Sequence, residues 1–503
     1  MIEREVKLSA WPGFTLPDLD GVAKGARTRR RETVDLDATY FDTPDLRLGR
    51  RGITLRHRRR GPRETWTLKL PVDGAAPEGG LARDEIDVSA PAGEVPAALA
   101  LLVAAHVRTA PLRKVARLMT VRRRTVVEGP DGMPLAEVDD DEVSVMDGGR
   151  VAARFREVEV EIAPDVPDDV AAAVVERLCR AGAERGDPRP KVALALGPRF
   201  GDPPEAAVGP LPDAPTAADV VTAAIRSAVT RILDHHVVAL VGDDPEGVHQ
   251  MRVGARRLRS DLRTFRPQLD RSATDPLRGE LRWLGEVLGA VRDPDVLRDR
   301  LESGVARVLG PDDAPAVGAV LAHLDADRDG AVGRLAVALS SDRYLELLDA
   351  LVALAENPPV TEAAAAPAAD VLPGLVRKPW KRLRSTVRAL DDDAPDEELH
   401  EIRKQAKEVR YAAEAVTPAL GKPARRAAKG VARVQGVLGD HQDTVVAEGW
   451  LRAAAAQPDT SPATAFVFGA LVADERAERA ALRARWPEVW DAAADPERWE
   501  WLG

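Results

Sequence analysis

Charged side chains recur at alternate positions in stretch after stretch of the first 160 or so residues, and this pattern restricts the fold more than any other feature. Side chains alternate faces along a strand, so Glu3, Glu5 and Lys7 share one side. Ile2, Val6 and Leu8 take the other, with Arg4 the single polar intruder among them. Further rows follow at Arg56 and Arg58, at Thr67 and Lys69, at Arg83 and Glu85, at Arg122 and Arg124, and at Glu157, Glu159 and Glu161. Apolar residues such as Leu55, Leu68, Ile86, Val158 and Val160 occupy the alternate positions. One wet strand face is ordinary. Seven or eight rows of mixed sign predict a barrel with an ionic interior, because ions withdrawn from bulk water are tolerated only when paired or accompanied.

The chemistry of the rows narrows the occupant. Arg56 and Arg58 on one strand face suit a phosphate chain, since guanidinium forks pair with phosphate oxygens bidentately. Glu157, Glu159 and Glu161 repel one another unless cations sit between them, and hard oxygen ligands of this kind suit Mg²⁺ or Mn²⁺. Glu137 and Asp139 share a face in a segment that also carries Asp140, Asp141 and Glu142, and alternation alone leaves open which of these acids points inward. Arg123 replaces Arg122 and Arg124 on the inner face if a bulge intervenes. Thr43-Pro44-Asp45 ends the strand that runs through Tyr40, and Asp42 is placed to cap that turn. Helices are expected near 16–25, 94–105 and 168–181.

The chain has 503 residues, enough for two or more cores. A net charge of -10 argues against non-specific nucleic-acid binding, and no apolar run is long enough to span a membrane. Cys179 is the only cysteine and the N-terminal residues are acidic, so a reducing cytoplasm is the expected setting. Glycine and proline crowd residues 201–215, which predicts a linker between a first domain at 1–200 and a second at 216–503.

The second domain reads as all-α and internally duplicated. Val248-His249-Gln250-Met251-Arg252 returns as Leu399-His400-Glu401-Ile402-Arg403. Basic residues fall three, seven and ten places after each histidine: Arg252, Arg256 and Arg259, then Arg403, Lys407 and Arg410. Leu288-Gly289 with Asp293 and Leu438-Gly439 with Asp443 repeat at equal offset. The economical reading is a structural repeat with pseudo-twofold symmetry. Each histidine and its three cations lie on one helix stripe, where like charges cost roughly 0.2–0.5 kcal/mol per pair. A polyanion would relieve that repulsion, and Arg263, Lys378, Lys381, Arg382, Lys404, Lys429 and Arg433 strengthen the local field.

The ordered set Glu3/Glu5/Lys7, Tyr40-Phe41-Asp42-Thr43, Arg56/Arg58, Lys69 and Glu157/Glu159/Glu161 resembles the CYTH family, the triphosphate tunnel metalloenzymes. That resemblance implies an eight-stranded closed antiparallel barrel binding a triphosphate among basic side chains, with divalent metal held by glutamates. Lys191 looks like the lysine that this family places near the end of the domain. The duplicated helical half resembles the CHAD domain, two pseudo-symmetric helical bundles with a basic groove for inorganic polyphosphate. The pair implies a multidomain α+β enzyme: an inorganic triphosphatase, hydrolysing triphosphate to pyrophosphate and phosphate with Mg²⁺ or Mn²⁺, in the cytoplasm and associated with polyphosphate granules. Expected catalytic residues are Glu3, Glu5, Lys7, Arg56, Arg58, Lys69, Glu85, Arg122, Arg124, Glu137 and Lys191. Glu157, Glu159, Glu161 and Asp139 are the expected metal ligands. Two alternatives are a granule-targeting module with weak or no catalysis, and a barrel acting on thiamine triphosphate or, as a cyclase, on ATP. Aromatics are only 4% of the chain, which favours a bare phosphate chain over a nucleoside and argues against a helical RNA binder.

Overall fold

The computed structural model describes residues 2–72, 81–163, 166–186, 189–242, 244–391, 393–458 and 460–503, without the side chains of 2–4, 81 and 82. The chain divides into two compact units, Met1–Pro204 and Glu205–Gly503.

The first unit is a ten-stranded antiparallel sheet. Its strands are β1 (Ile2–Ala10), β2 (Arg27–Arg30), β3 (Val34–Asp42), β4 (Thr54–Arg60), β5 (Arg63–Pro71), β6 (Leu81–Val88), β7 (Arg113–Glu128), β8 (Pro134–Asp147), β9 (Arg150–Ile162) and β10 (Glu184–Arg185). The ladder runs β1-β6-β5-β4-β3-β7-β8-β9, and β1 pairs with β9 as well as with β6. Two short strands exceed the expected eight: β2 extends along the end of β7, and β10 borders Leu8 and Ser9. Helices α1 (Ala97–Val107), α2 (Asp168–Arg180) and α3 (Lys191–Leu196) lie in the same unit.

The layering inverts that of a usual core. Apolar strand faces point away from the charged rows and are covered by helices. Val6, Leu8, Val138, Val158 and Val160 pack with Ala171, Val174 and Leu178 of α2, and Cys179 borders that cluster. Leu55, Trp66 and Leu68 pack with Leu99 and Val103 of α1. The expected helix at 16–25 is not formed. Gly21 and Gly25 take positive φ, and Asp20 instead accepts the backbone N–H of Thr28, which ties this segment to β2. Asp42 closes its turn as expected, accepting the N–H groups of Thr43, Leu48 and Gly49.

The second unit is helical: α4 (Ala217–Asp234), α5 (His236–Val241), α6 (Pro245–Thr264), α7 (Arg271–Val308), α8 (Ala314–Leu339), α9 (Asp342–Glu356), α10 (Ala368–Arg388), α11 (Asp396–Leu420), α12 (Lys422–Ala455) and α13 (Pro462–Ala494). The sequence repeat maps onto α6-α7 and α11-α12. Contacts link α4 to α10, α6 to α11, α7 to α12 and α8 to α13. Among the described residues no helix is long and apolar enough to cross a membrane.

Candidate functional site

Alternation along each strand delivers the charged rows to one cavity of about 180 Å³. Its lining holds Lys7, Arg56, Arg58, Lys69, Arg83, Arg122, Arg124 and Lys191, with Glu5, Glu85, Glu137, Glu159 and Glu161. Cross-strand register pairs many of these charges. Lys7 lies opposite Glu159, Lys69 opposite Glu85, Arg122 opposite Asp141 and Arg124 opposite Asp139. Asp140, one residue out of phase, turns away and pairs with Arg156. The parity left open for β8 is therefore settled: Glu137, Asp139 and Asp141 share the inner face. No bulge intervenes at Arg122 or Arg124, and Arg123 is the outward residue, paired with Glu142.

Glu159 is the hub of the acidic side. It sits 2.6 Å from Lys191 Nζ, 3.2 Å from Lys7 Nζ and 3.0 Å from Arg122 Nη2. Burial alone would raise its pKa, but Lys191, Lys7 and Arg122 outweigh burial and hold the carboxyl well below the ordinary range. Asp141 is fully buried, accepting two bonds from Arg122 at 2.8 and 2.7 Å and an ion pair from Lys191 at 2.9 Å. Burial opposes its ionisation, and Lys191 and Arg122 more than offset that. Burial would likewise depress Lys7, yet Glu159, Glu157 and Glu5 keep its ammonium above the usual lysine value.

The β4 side differs. Repulsion from Arg56 together with burial pushes the Arg58 pKa down to about 10. Arg56 reaches Glu85 only at 3.9 Å. The cavity is thus polarised, with paired acids along β1, β8 and β9 and excess cation along β4.

Among the described residues no three His, Cys, Asp or Glu side chains are grouped so as to hold a metal ion. Asp139, expected as a ligand, instead gives both oxygens to Arg124 at 2.9 and 3.0 Å and also pairs with Arg122. Glu159 is likewise committed to cations. The cations that stand beside the β9 carboxylates are side chains rather than the expected Mg²⁺ or Mn²⁺: Lys7, Lys191 and Arg122 pair with Glu159, and Lys7 with Glu157. Two buried carboxylate oxygens, Glu5 Oε1 and Glu157 Oε1, make no hydrogen bond and have Lys7 Nζ only at 3.7 and 3.5 Å, and burial raises the Glu157 pKa. They are hard donors of the kind Mg²⁺ takes. The Glu3 side chain lies outside the described residues. Arg83 lines the cavity as its row with Glu85 predicts, and Asp141 is the site residue that sharing a face with Glu137 and Asp139 adds to the expected set.

In the helical unit the two stripes converge. Burial together with Arg256, Arg403, Arg410 and Arg252 pushes Lys407 down to about 8, so α6 cations face α11 cations. The repeated glycines sit under the repeated arginines. A Cβ at Gly289 would lie 3.4 Å from Arg252 Nη2, and one at Gly439 would lie 3.6 Å from Arg403 Nε. His249 is depressed by burial, with Arg292, Arg256 and Arg252 nearby. Arg259 faces Arg282 and Arg278. His400 Nδ1 is buried without a hydrogen-bond partner. Arg263, Lys378, Arg382 and Lys404 leave the stripes and line a separate cavity of about 1020 Å³ with Arg266 and Arg271, where Glu408 pairs with both Arg263 and Arg382. Lys381, Lys429 and Arg433 are exposed and line neither that cavity nor the one in the sheet.

An antiparallel sheet around an ionic cavity, followed by a helical unit with matched basic stripes, defines a two-part α+β protein. The chain belongs to the family that joins a CYTH domain, matched here at residues 1–190, to a CHAD domain, matched at residues 223–452. The uncharacterized protein Rv2226 of Mycobacterium tuberculosis is 34% identical over 502 residues, covering 94% of this chain and 93% of that protein. PptA from Streptomyces chartreusis is 28% identical, covering 55% of this chain and 99% of that structure with a TM-score of 0.46. The CHAD domain from the plant Ricinus communis is 29% identical, covering 58% of this chain and 96% of that structure with a TM-score of 0.48. CYTH enzymes are phosphoanhydride hydrolases, typically dependent on divalent metal.

Proposed function

We propose that the sheet acts as a closed tunnel that hydrolyses inorganic triphosphate to pyrophosphate and phosphate, and that the helical unit, two pseudo-symmetric halves, binds inorganic polyphosphate. The observation that carries the first part is the Arg56–Arg58 side of the cavity, where Arg56 meets Glu85 only at 3.9 Å and Arg58 is depressed by Arg56 and by burial, so the two half-buried guanidiniums have charge to spare for an anion. A phosphate chain supplies that anion bidentately. Arg56, Arg58, Lys69, Arg83 and Arg124 bind and orient the chain. Lys7 and Lys191, kept charged by their carboxylates, hold it from the opposite side. Asp139 and Asp141 fix Arg122 and Arg124 so that their donors are aimed before substrate arrives.

Charge balance supports a metal requirement. Eight basic residues line the cavity against five acids, and Asp139, Asp141 and Glu157 behind the lining make the acids eight. A polyanion entering a balanced site needs its own escort of cations. Glu5 and Glu157, with Glu3 and Glu161, would hold Mg²⁺ or Mn²⁺, which would offset phosphoryl charge and lower the pKa of a bound water. Among the described residues Tyr40 is the only aromatic lining the cavity, which has about 180 Å³ of space, and both favour a bare phosphate chain over thiamine triphosphate or ATP.

Incubating the protein with tripolyphosphate, ATP or long-chain polyphosphate, with and without Mg²⁺, and following released phosphate tests this reading. Tripolyphosphate should be the preferred substrate, and Glu159→Gln should abolish its turnover. Undiminished Mg²⁺-dependent phosphate release by that variant would refute the assignment. A granule-binding protein with a silent barrel would release no phosphate from any of the three.

A further inference from the structure

We propose that the helical unit carries a second ligand site, for a nucleoside phosphate, in the cavity of about 640 Å³ bounded by α4, α6 and α11. That volume is in the range of small-molecule sites. The proposal stands on this cavity alone and not on the chemistry assigned to the barrel.

One wall is a run of small side chains on α4, Ala223, Ala224, Ser227 and Ala228, facing Val253 and Gly254 of α6. Gly254 permits the close approach: a Cβ there would lie 2.9 Å from Ile232 and 3.1 Å from the Ala228 carbonyl. The result is a wall of small, mostly apolar side chains against which a flat body fits.

Three residues lining the slot carry buried polar atoms without a hydrogen-bond partner: Asp261 Oδ1, the Tyr411 hydroxyl and Arg410 Nε, the last held only by a loose ion pair with Glu414 at 3.5 Å. Asp261 is 1% exposed and Tyr411 6%. The remaining Asp261 oxygen accepts from Arg257 Nε at 2.9 Å, and Arg257 Nη1 donates to Glu414 at 2.5 Å. This chain of bonds fixes the carboxylate while leaving one acceptor open. Buried polar groups are costly when unpaired, so such a trio points to a missing partner.

The partner must offer an N–H to Asp261, an acceptor to Arg410, a group for Tyr411, a flat apolar body for the slot and an anion for Arg256. A nucleoside phosphate offers all five. Its base supplies the N–H and the acceptor, and its phosphate pairs with guanidinium. Inorganic polyphosphate has no apolar surface, and its charge is repelled by the Asp261 and Glu414 carboxylates. Arg256 and Arg410 also belong to the converging stripes, so nucleotide and polyphosphate should exclude one another.

Calorimetric titration of the full chain with AMP, GMP, CMP and UMP, against ribose 5-phosphate and inorganic phosphate as controls, tests the proposal. At least one nucleotide should bind ten-fold or more tighter than ribose 5-phosphate, and polyphosphate should compete with it. Ala224→Phe, which fills the slot without altering charge, should lower that affinity at least ten-fold. If Ala224→Phe also lowers the melting temperature, Ser227→Leu provides the same blockade from the same wall. No preference for any nucleotide over ribose 5-phosphate would overturn the proposal. So would nucleotide binding that survives both blocking variants, since it would then reside elsewhere in the chain.

Discussion

Asp141→Asn isolates the electrostatic logic of the sheet's ionic cavity. Asp141 is fully buried and neutralises two buried cations, Arg122 and Lys191. The amide keeps the shape but removes the charge and turns an N–H₂ group toward donors. Breaking a buried ion pair from one side costs about 3–5 kcal/mol. For a unit of this size each kcal/mol is worth roughly 2–4 °C, so the first unit's transition should fall by roughly 6–20 °C. The variant cavity is one charge more positive, so tripolyphosphate should stabilise it more than the parent. At a hundred times its Kd, a ligand adds about 2.7 kcal/mol, enough to restore a large part of the loss. Differential scanning calorimetry with and without tripolyphosphate reads both effects. The pH arm has a defined sign. The folded pKa values of Asp141 and Glu159 are lowered, so their stabilisation is present above the ordinary carboxylate range and is lost as pH falls through the lowered values. The parent should therefore lose stability on acidification more steeply than Asp141→Asn. A variant melting within about 2 °C of the parent, less than 1 kcal/mol, would refute the reasoning. Equal stabilisation of both proteins by tripolyphosphate would do the same.

Three further outcomes are expected. With its pKa near 8, Lys407 is half charged at pH 8, so polyphosphate binding there should take up roughly half a proton, seen as buffer-dependent calorimetric heats; Lys407→Arg should abolish the dependence. Arg256→Glu with Lys407→Glu should abolish polyphosphate binding in a filter or mobility assay while triphosphate hydrolysis persists. Gly247→Ala should destabilise the helical unit by about 1–3 kcal/mol in urea unfolding, since the added Cβ falls 2.4 Å from the Ala239 backbone nitrogen.

What the sequence made legible is whatever periodicity alone decides. Parity placed Arg122 with Arg124 and aligned Glu157, Glu159 and Glu161, because neighbouring side chains on a strand cannot share a face. The acids of β8 stayed ambiguous because their facing depends on register with β7 and β9, a property of two chains of residues rather than one. For the same reason, nothing in a row of glutamates says whether lysines or metal ions will stand between them. Segment 16–25 misled because its apolar spacing suits a helix, whereas Asp20 and two positive-φ glycines favour turns. In the helical half the three-seven-ten spacing announced the stripes. Helix packing then removed Arg263, Lys378, Arg382 and Lys404 to a different cavity and joined Arg257 to Glu414 across two helices, which no single-helix pattern encodes.

The double pairing of β1 bears on how the first unit assembles. Leu8 finds its partner in Val158, 150 positions later, while the same strand also borders β6. During synthesis β1 must therefore wait, one edge bare, until β9 emerges, and the loop-closure entropy of that pairing is met late. Any chain interrupted before residue 150 leaves β1 and β8 as open edges able to recruit strands from other molecules.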